Sequence, residues 1–178
     1  MAHLAVSAIG SDRPGIVAAV TKVLLDQGCN LEDTSMSILR GHFAMMLVVA
    51  APAELTASGL EQALAGPASD FDLVVAVRAI DDGVPASPAG ETWTVSVHGA
   101  DQPGIVHRVT AVLADAGANV VDLSTRLVGE AASPAYVMVL SVTLPGGTSG
   151  ADLGTRLDAL GTELGVACVL HPAEPDVL

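Results

Sequence analysis

Residues 10–35 read G-S-D-R-P-G-I-V-A-A-V-T-K-V-L-L-D-Q-G-C-N-L-E-D-T-S, and residues 99–124 read G-A-D-Q-P-G-I-V-H-R-V-T-A-V-L-A-D-A-G-A-N-V-V-D-L-S. They align at an offset of 89 without a gap, with 15 of 26 positions identical, so the chain is an internal duplication. Further on, Phe43–Val49 aligns with Tyr136–Val142 at an offset of 93, which places about four extra residues of the second copy around Gly129–Pro134. Between the copies runs Asp81-Asp82-Gly83-Val84-Pro85-Ala86-Ser87-Pro88-Ala89-Gly90, a Pro/Gly stretch without apolar periodicity. The expected organisation is one unit over residues 1–80, a linker over 81–90, a second unit over 91–172 and a tail over 173–178.

Each copy carries the same periodicities. Leu4–Ile9 and Thr92–His98 are short apolar, β-branched runs that predict strands. Ile16, Val20, Val23, Leu24 and Gln27 recur at helical spacing and stop at Gly28, and Ile105, Val109, Val112, Leu113 and Ala116 repeat the pattern up to Gly117. Asn30–Leu39 and His42–Ala50 predict two strands around an Arg40-Gly41 turn, matched by Asn119–Val128 and Ala135–Thr143. A second helix follows. Leu153, Leu157, Leu160 and Leu164 stripe it in the second copy, with Ser149 as its cap, whereas Leu55, Leu60 and Leu64 mark it weakly in the first. Phe71–Ala79 and Gly165–His171 close the units as strands. The order βαββαβ, twice, predicts an α+β protein of two ferredoxin-like units, with antiparallel sheets and helices on one face. Sheets of this kind have open edges, so the units are expected to join side by side or to pair with those of another chain.

Composition excludes several function classes. The 178 residues carry seven basic and twenty acidic side chains, a formal charge of −13, which opposes direct nucleic-acid binding. Four aromatic residues, Phe43, Phe71, Trp93 and Tyr136, are too few for base-stacking platforms. The longest apolar run, Phe43–Ala51, falls far short of the roughly 20 residues that span a bilayer. No membrane association and a cytoplasmic location are expected. Cys29 and Cys168 fit neither a disulfide framework nor a zinc set and are read as small buried apolar groups. None of the five histidines recurs in the other copy, no metal-binding motif appears, and there is neither a P-loop nor a G-x-G-x-x-G. The expectation is a protein without catalytic residues, metal or cofactor.

What the duplication kept is Asp12-x-Pro14-Gly15-Ile16-Val17 and Asp101-x-Pro103-Gly104-Ile105-Val106, with Asn30 matching Asn119, Asp33 matching Asp122 and Ser35 matching Ser124. Two readings of the loop stand side by side. In the first, Asp12 caps the helix, Pro14 sits in its first turn and Gly15 allows close packing. In the second, the helix N-terminus receives an anion. Gly15 then admits a ligand near the backbone, and Asp12 and Asn30 flank the same helix end, as a small zwitterion requires.

Two βαββαβ units carrying D-x-P-G-I-V and then G-x-N-x-x-D-x-S resemble the ACT domain, a regulatory module that senses amino acids. The resemblance covers the whole chain apart from linker and tail and is to a stand-alone tandem pair. It implies a ligand site where two ACT units meet, drawn from Asp12, Gly15, Ile16 and Asn30, and from Asp101, Gly104, Ile105 and Asn119. It further implies a small amino acid such as glycine or serine as ligand, a protein partner, and a homo-oligomer or intramolecular ACT pairing. The competing reading is a ligand-free interaction module built from ACT domains.

Overall fold

The structure, a computed structural model, describes residues 2–80, 90–129 and 135–173. Most of the expected linker, the tail beyond residue 173 and residues 130–134 of the expected insertion lie outside the described residues. The chain divides into two units, Met1–Val84 and Pro85–Leu178.

In the first unit, β1 (Ala2–Ser11) leads to α1 (Ile16–Asp26), β2 (Asn30–Leu39), β3 (His42–Ala51), α2 (Ala57–Ala63), α3 (Ala65–Phe71) and β4 (Leu73–Ile80). In the second, β5 (Gly90–Ala100) leads to α4 (Ile105–Asp115), β6 (Asn119–Val128), β7 (Ala135–Pro145), α5 (Gly150–Leu164) and β8 (Val166–Pro172). The sheets are antiparallel, ordered β2-β3-β1-β4 and β6-β7-β5-β8.

Period-two burial lays one face of each central strand on the helices. Leu4, Val6 and Ala8 of β1 and Phe43, Met45, Leu47 and Val49 of β3 meet Ile16, Val20 and Leu24 of α1 in one core. Val95 and Val97, then Tyr136, Met138, Leu140 and Val142, meet Ile105, Val109 and Leu113 of α4 in the other. The hairpin turn of the first unit has Arg40 at φ 51° and Gly41 at φ 81°, the paired positive values of a two-residue turn that suits strand twist. Edge strands β2 and β6 shift register at the same place, between Leu31 and Asp33 and between Val120 and Asp122. The duplication thus reaches into backbone irregularities.

Several boundaries differ from expectation. The weak second helix of the first copy is two short helices. Pro67 has no N–H for the carbonyl four residues back, and its ring crowds that carbonyl, so the helix breaks at Leu64. Leu55 precedes these helices. Phe71 ends α3, and Asp72 at φ 54° turns the chain before β4 starts at Leu73. Gly165, at φ 64°, caps α5 before β8 begins. Gly90 belongs to β5 and not to the linker.

The second copy's helix is continuous and capped as its sequence predicts: the Asp152 amide donates to Ser149 Oγ at 3.2 Å. Ser149→Ala is expected to cost about 1 kcal/mol, read by urea denaturation.

Candidate functional site

The loops after β1 and β5 are the most faithfully duplicated part of the chain. The Asp12 amide donates to the Gly41 carbonyl at 2.9 Å, which ties the first loop to the β2–β3 turn. Pro14 then lies outside the helix, and Gly15 at φ 98° is its N-cap. Gly104 at φ 94° does the same for α4. The left-handed backbone there explains the glycine, since a Cβ is strained in that region. The first intrahelical bonds run from Ala19 to the Gly15 carbonyl and from Arg108 to the Gly104 carbonyl, each 2.9 Å. The amides of Ile16, Val17 and Ala18, and of Ile105, Val106 and His107, therefore precede the hydrogen-bond ladder.

No side chain caps either helix. That corrects the capping reading of Asp12 and Asp101: the left-handed turn at the glycine puts the cap there, and both aspartates are exposed. Ile16 and Ile105 are each 2% exposed core residues, so only their backbone amides face outward at the loop.

Asn30 and Asn119 are exposed and open the edge strands. Register places them away from the aspartates. Asn30 is level with Ala50, itself paired with His3, whereas Ser11, next to Asp12, pairs with His42 at the other end of the sheet. Eight residues of strand separate those levels, roughly 26 Å at about 3.3 Å per residue. Asp12 and Asn30 of one unit thus do not flank the same helix end. Helix α1 runs back along the sheet and delivers Asn30 to the opposite end. Asn119 stands likewise beside Thr143, far from Asp101.

The two loops differ in their surroundings. Under Gly15 lies the ring of Phe71, 3.5 Å from where a Cβ would stand. Phe71, expected in the closing strand, is instead the last residue of α3 and a neighbour of the site. Arg13 is exposed at the first loop. In the second copy Gln102 stands in its place and donates from Nε2 to the Leu164 carbonyl at the end of α5. Arg108 of α4 pairs with Glu163 of α5. Tyr136, where the first copy has Phe43, has its hydroxyl pushed above the usual phenol range by burial and then by the Asp101 charge.

Chemically, the first loop offers unladdered amides and a guanidinium to a carboxylate, and one carboxylate to an ammonium group. Burial raises the thiols of Cys29 and Cys168, the latter also through Asp158, so neither is an activated nucleophile. Among the described residues no group of three or more His, Cys, Asp or Glu side chains could hold a metal ion, and no helix is long and apolar enough to cross a membrane.

Comparison with known proteins agrees with this architecture. The family pattern described as ACT domain matches residues 2–78 and again 93–146. The chain belongs to the ACT domain family, with two domains in tandem. It is similar to the glycine cleavage system transcriptional repressor of Escherichia coli, 26% identical over 165 residues that cover 91% of this chain and 85% of that one. A crystal structure of an unknown protein from Galdieria sulphuraria is 30% identical, with a TM-score of 0.82 over 97% of this chain and 99% of that one. A UPF0237 protein of Methanopyrus kandleri is 41% identical over 78 residues, covering 42% of this chain and 87% of the relative.

Proposed function

We propose that this chain is a non-catalytic regulator that binds a small amino acid, glycine or serine, and passes its ligand state to a partner protein. The observation that carries the reading is the loop kept in both copies, with a left-handed glycine cap, helix amides ahead of the ladder and an exposed aspartate whose side chain does not cap the helix. Geometry favours the ligand carboxylate on the amides of Ile16–Ala18 beside Arg13, and its ammonium on Asp12. Because Asp12 and Asn30 of one unit stand at opposite sheet ends, a ligand that touches both types of residue takes them from two ACT units. The first loop is the stronger candidate. In the second, Gln102 is committed to Leu164 and brings no positive charge.

The chain is similar along most of its length to a protein named a transcriptional repressor. With a charge of −13, regulation of that kind here would pass through another protein and not through DNA contact. The ligand-free alternative is supported at the second loop by the same Gln102 contact.

A thermal-shift screen of the full chain with the twenty amino acids tests the proposal. Ligand at about 100 times its Kd stabilises by about 2.7 kcal/mol, which for a chain of this size raises Tm by roughly 5–10 °C. A rise confined to small amino acids is expected. No rise with any of them leaves the ligand-free module.

A further inference from the structure

An antiparallel sheet with helices on one face ordinarily turns polar side chains to water on the other. In the first unit that face exposes large apolar side chains among its serines. Register sets its rows across β4, β1, β3 and β2: Val74, Ile9, Ala44 and Ser37; then Ala76, Ser7, Met46 and Ser35; then Arg78, Ala5, Val48 and Asp33. Val74 is 75% exposed, Met46 57% and Ile9 55%. The corresponding rows of the second unit place His98, Thr94, Ser141 and Arg126 where the first has Ile9, Ala5, Val48 and Ser37. The second face keeps Val139 and Val169, 40% and 49% exposed, in its middle row, whereas the first carries Ile9 and Val74 in the row beside Met46 and has none of those four polar or charged replacements. A shallow depression of about 250 Å³ lies on it, lined by Ser7, Ala44, Ser35 and Ser37 between the projecting Ile9 and Met46.

We propose that this face packs on the same face of a second copy of the chain. The dimer is isologous and face to face, with its two-fold axis parallel to the strands and midway between β1 and β3. Such an axis exchanges β1 with β3 and β4 with β2 while keeping each row. Ile9 then meets the partner's Ala44, Met46 meets the partner's Ser7, and Val74 meets the partner's Ser37. Each large side chain faces a small one, and the two central knobs enter the depression. The charged residues of the third row, Arg78 on β4 and Asp33 on β2, stand at opposite edges of the face. The same axis sets Arg78 against the partner's Asp33, twice per dimer. An axis across the strands would instead set β4 on the partner's β4 and leave both charges without opposite partners. Aligned sheets cross at about 30°, an offset at the edges that the length of Arg78 spans. The association is independent of any ligand at the loops.

Sedimentation equilibrium of the full chain tests this, with circular dichroism confirming that each variant is folded. A concentration-dependent dimer is expected. Met46→Glu and Ile9→Glu each raise its dissociation constant at least about 100-fold by burying charge in the apolar centre. Val139→Glu, at the position of Met46 on the second sheet, leaves it unchanged. Arg78→Asp and Asp33→Arg each weaken it about tenfold or more through like charges, and the double variant Arg78→Asp/Asp33→Arg restores it. The proposal is overturned by a monomer at several hundred micromolar, by a dimer indifferent to Met46→Glu and Ile9→Glu, or by a double swap no better than either single change. A monomer whose first sheet is covered by its own second unit appears as the first of these results.

Discussion

Asp12→Asn is expected to lower affinity for the small amino acid ligand about ten- to a hundred-fold while leaving stability within about 1 kcal/mol of wild type. The two effects separate because the structure gives the side chain no capping work: Gly15 is the N-cap and Asp12 is exposed. What stability Asp12 does contribute is its charge near a helix N-terminus, worth about 0.3–1 kcal/mol. Against an ammonium group the carboxylate makes a charge-assisted hydrogen bond worth about 1.5–3 kcal/mol, which the neutral amide lacks. Asp12→Ala should follow the same course. Calorimetric titration beside thermal melting reads both quantities. Equal affinity for wild type and Asp12→Asn would remove Asp12 from the site. The same substitution at Asp101 should change binding less, because the second loop lacks the arginine.

Ile16→Ala carries the other large effect, and it falls on stability. Ile16 is 2% exposed and packs with Val20, Leu24 and the β1 and β3 side chains. Truncating it leaves a cavity and should cost about 2–5 kcal/mol, measured by urea denaturation. Val17, its neighbour, is 40% exposed, and Val17→Ala should cost under about 1 kcal/mol. Together the pair shows that the isoleucine of the repeated motif serves the core with its side chain and the loop with its amide. Comparable losses for the two variants would contradict that division.

These expectations show which features were legible in the sequence. The duplication exposed the repeated unit, and helical spacing from Ile16 to Gln27 placed α1 within a residue or two. The strands at Asn30–Leu39 and Asn119–Val128 stand where the turn signal and the match between copies put them. The local signals failed where a distant or opposing constraint decided the backbone. Asp12 has the chemistry of a cap, but the left-handed glycine three residues on took that position. Pro67 cut a helix whose leucine stripe was already weak, and Phe71, at the end of its second piece, lies under the first loop. Asn30 seemed to share a helix end with Asp12 because sequence spacing does not record that α1 reverses the chain direction and spans the sheet. The apolar outer face of the first unit is invisible one strand at a time. It emerges only when register sets Ile9, Met46 and Val74 on one surface.

Amide chemical-shift mapping tests most directly whether an amino acid binds at the glycine-capped start of α1, where no side chain caps the helix. Titrating the isotope-labelled full chain with glycine, and separately with serine, should shift the amides of Gly15, Ile16, Val17 and Ala18 in a saturable manner, with smaller changes or none at Gly104–His107. Saturable shifts that leave all of these amides unmoved, or no saturable shift with either amino acid, would contradict binding there.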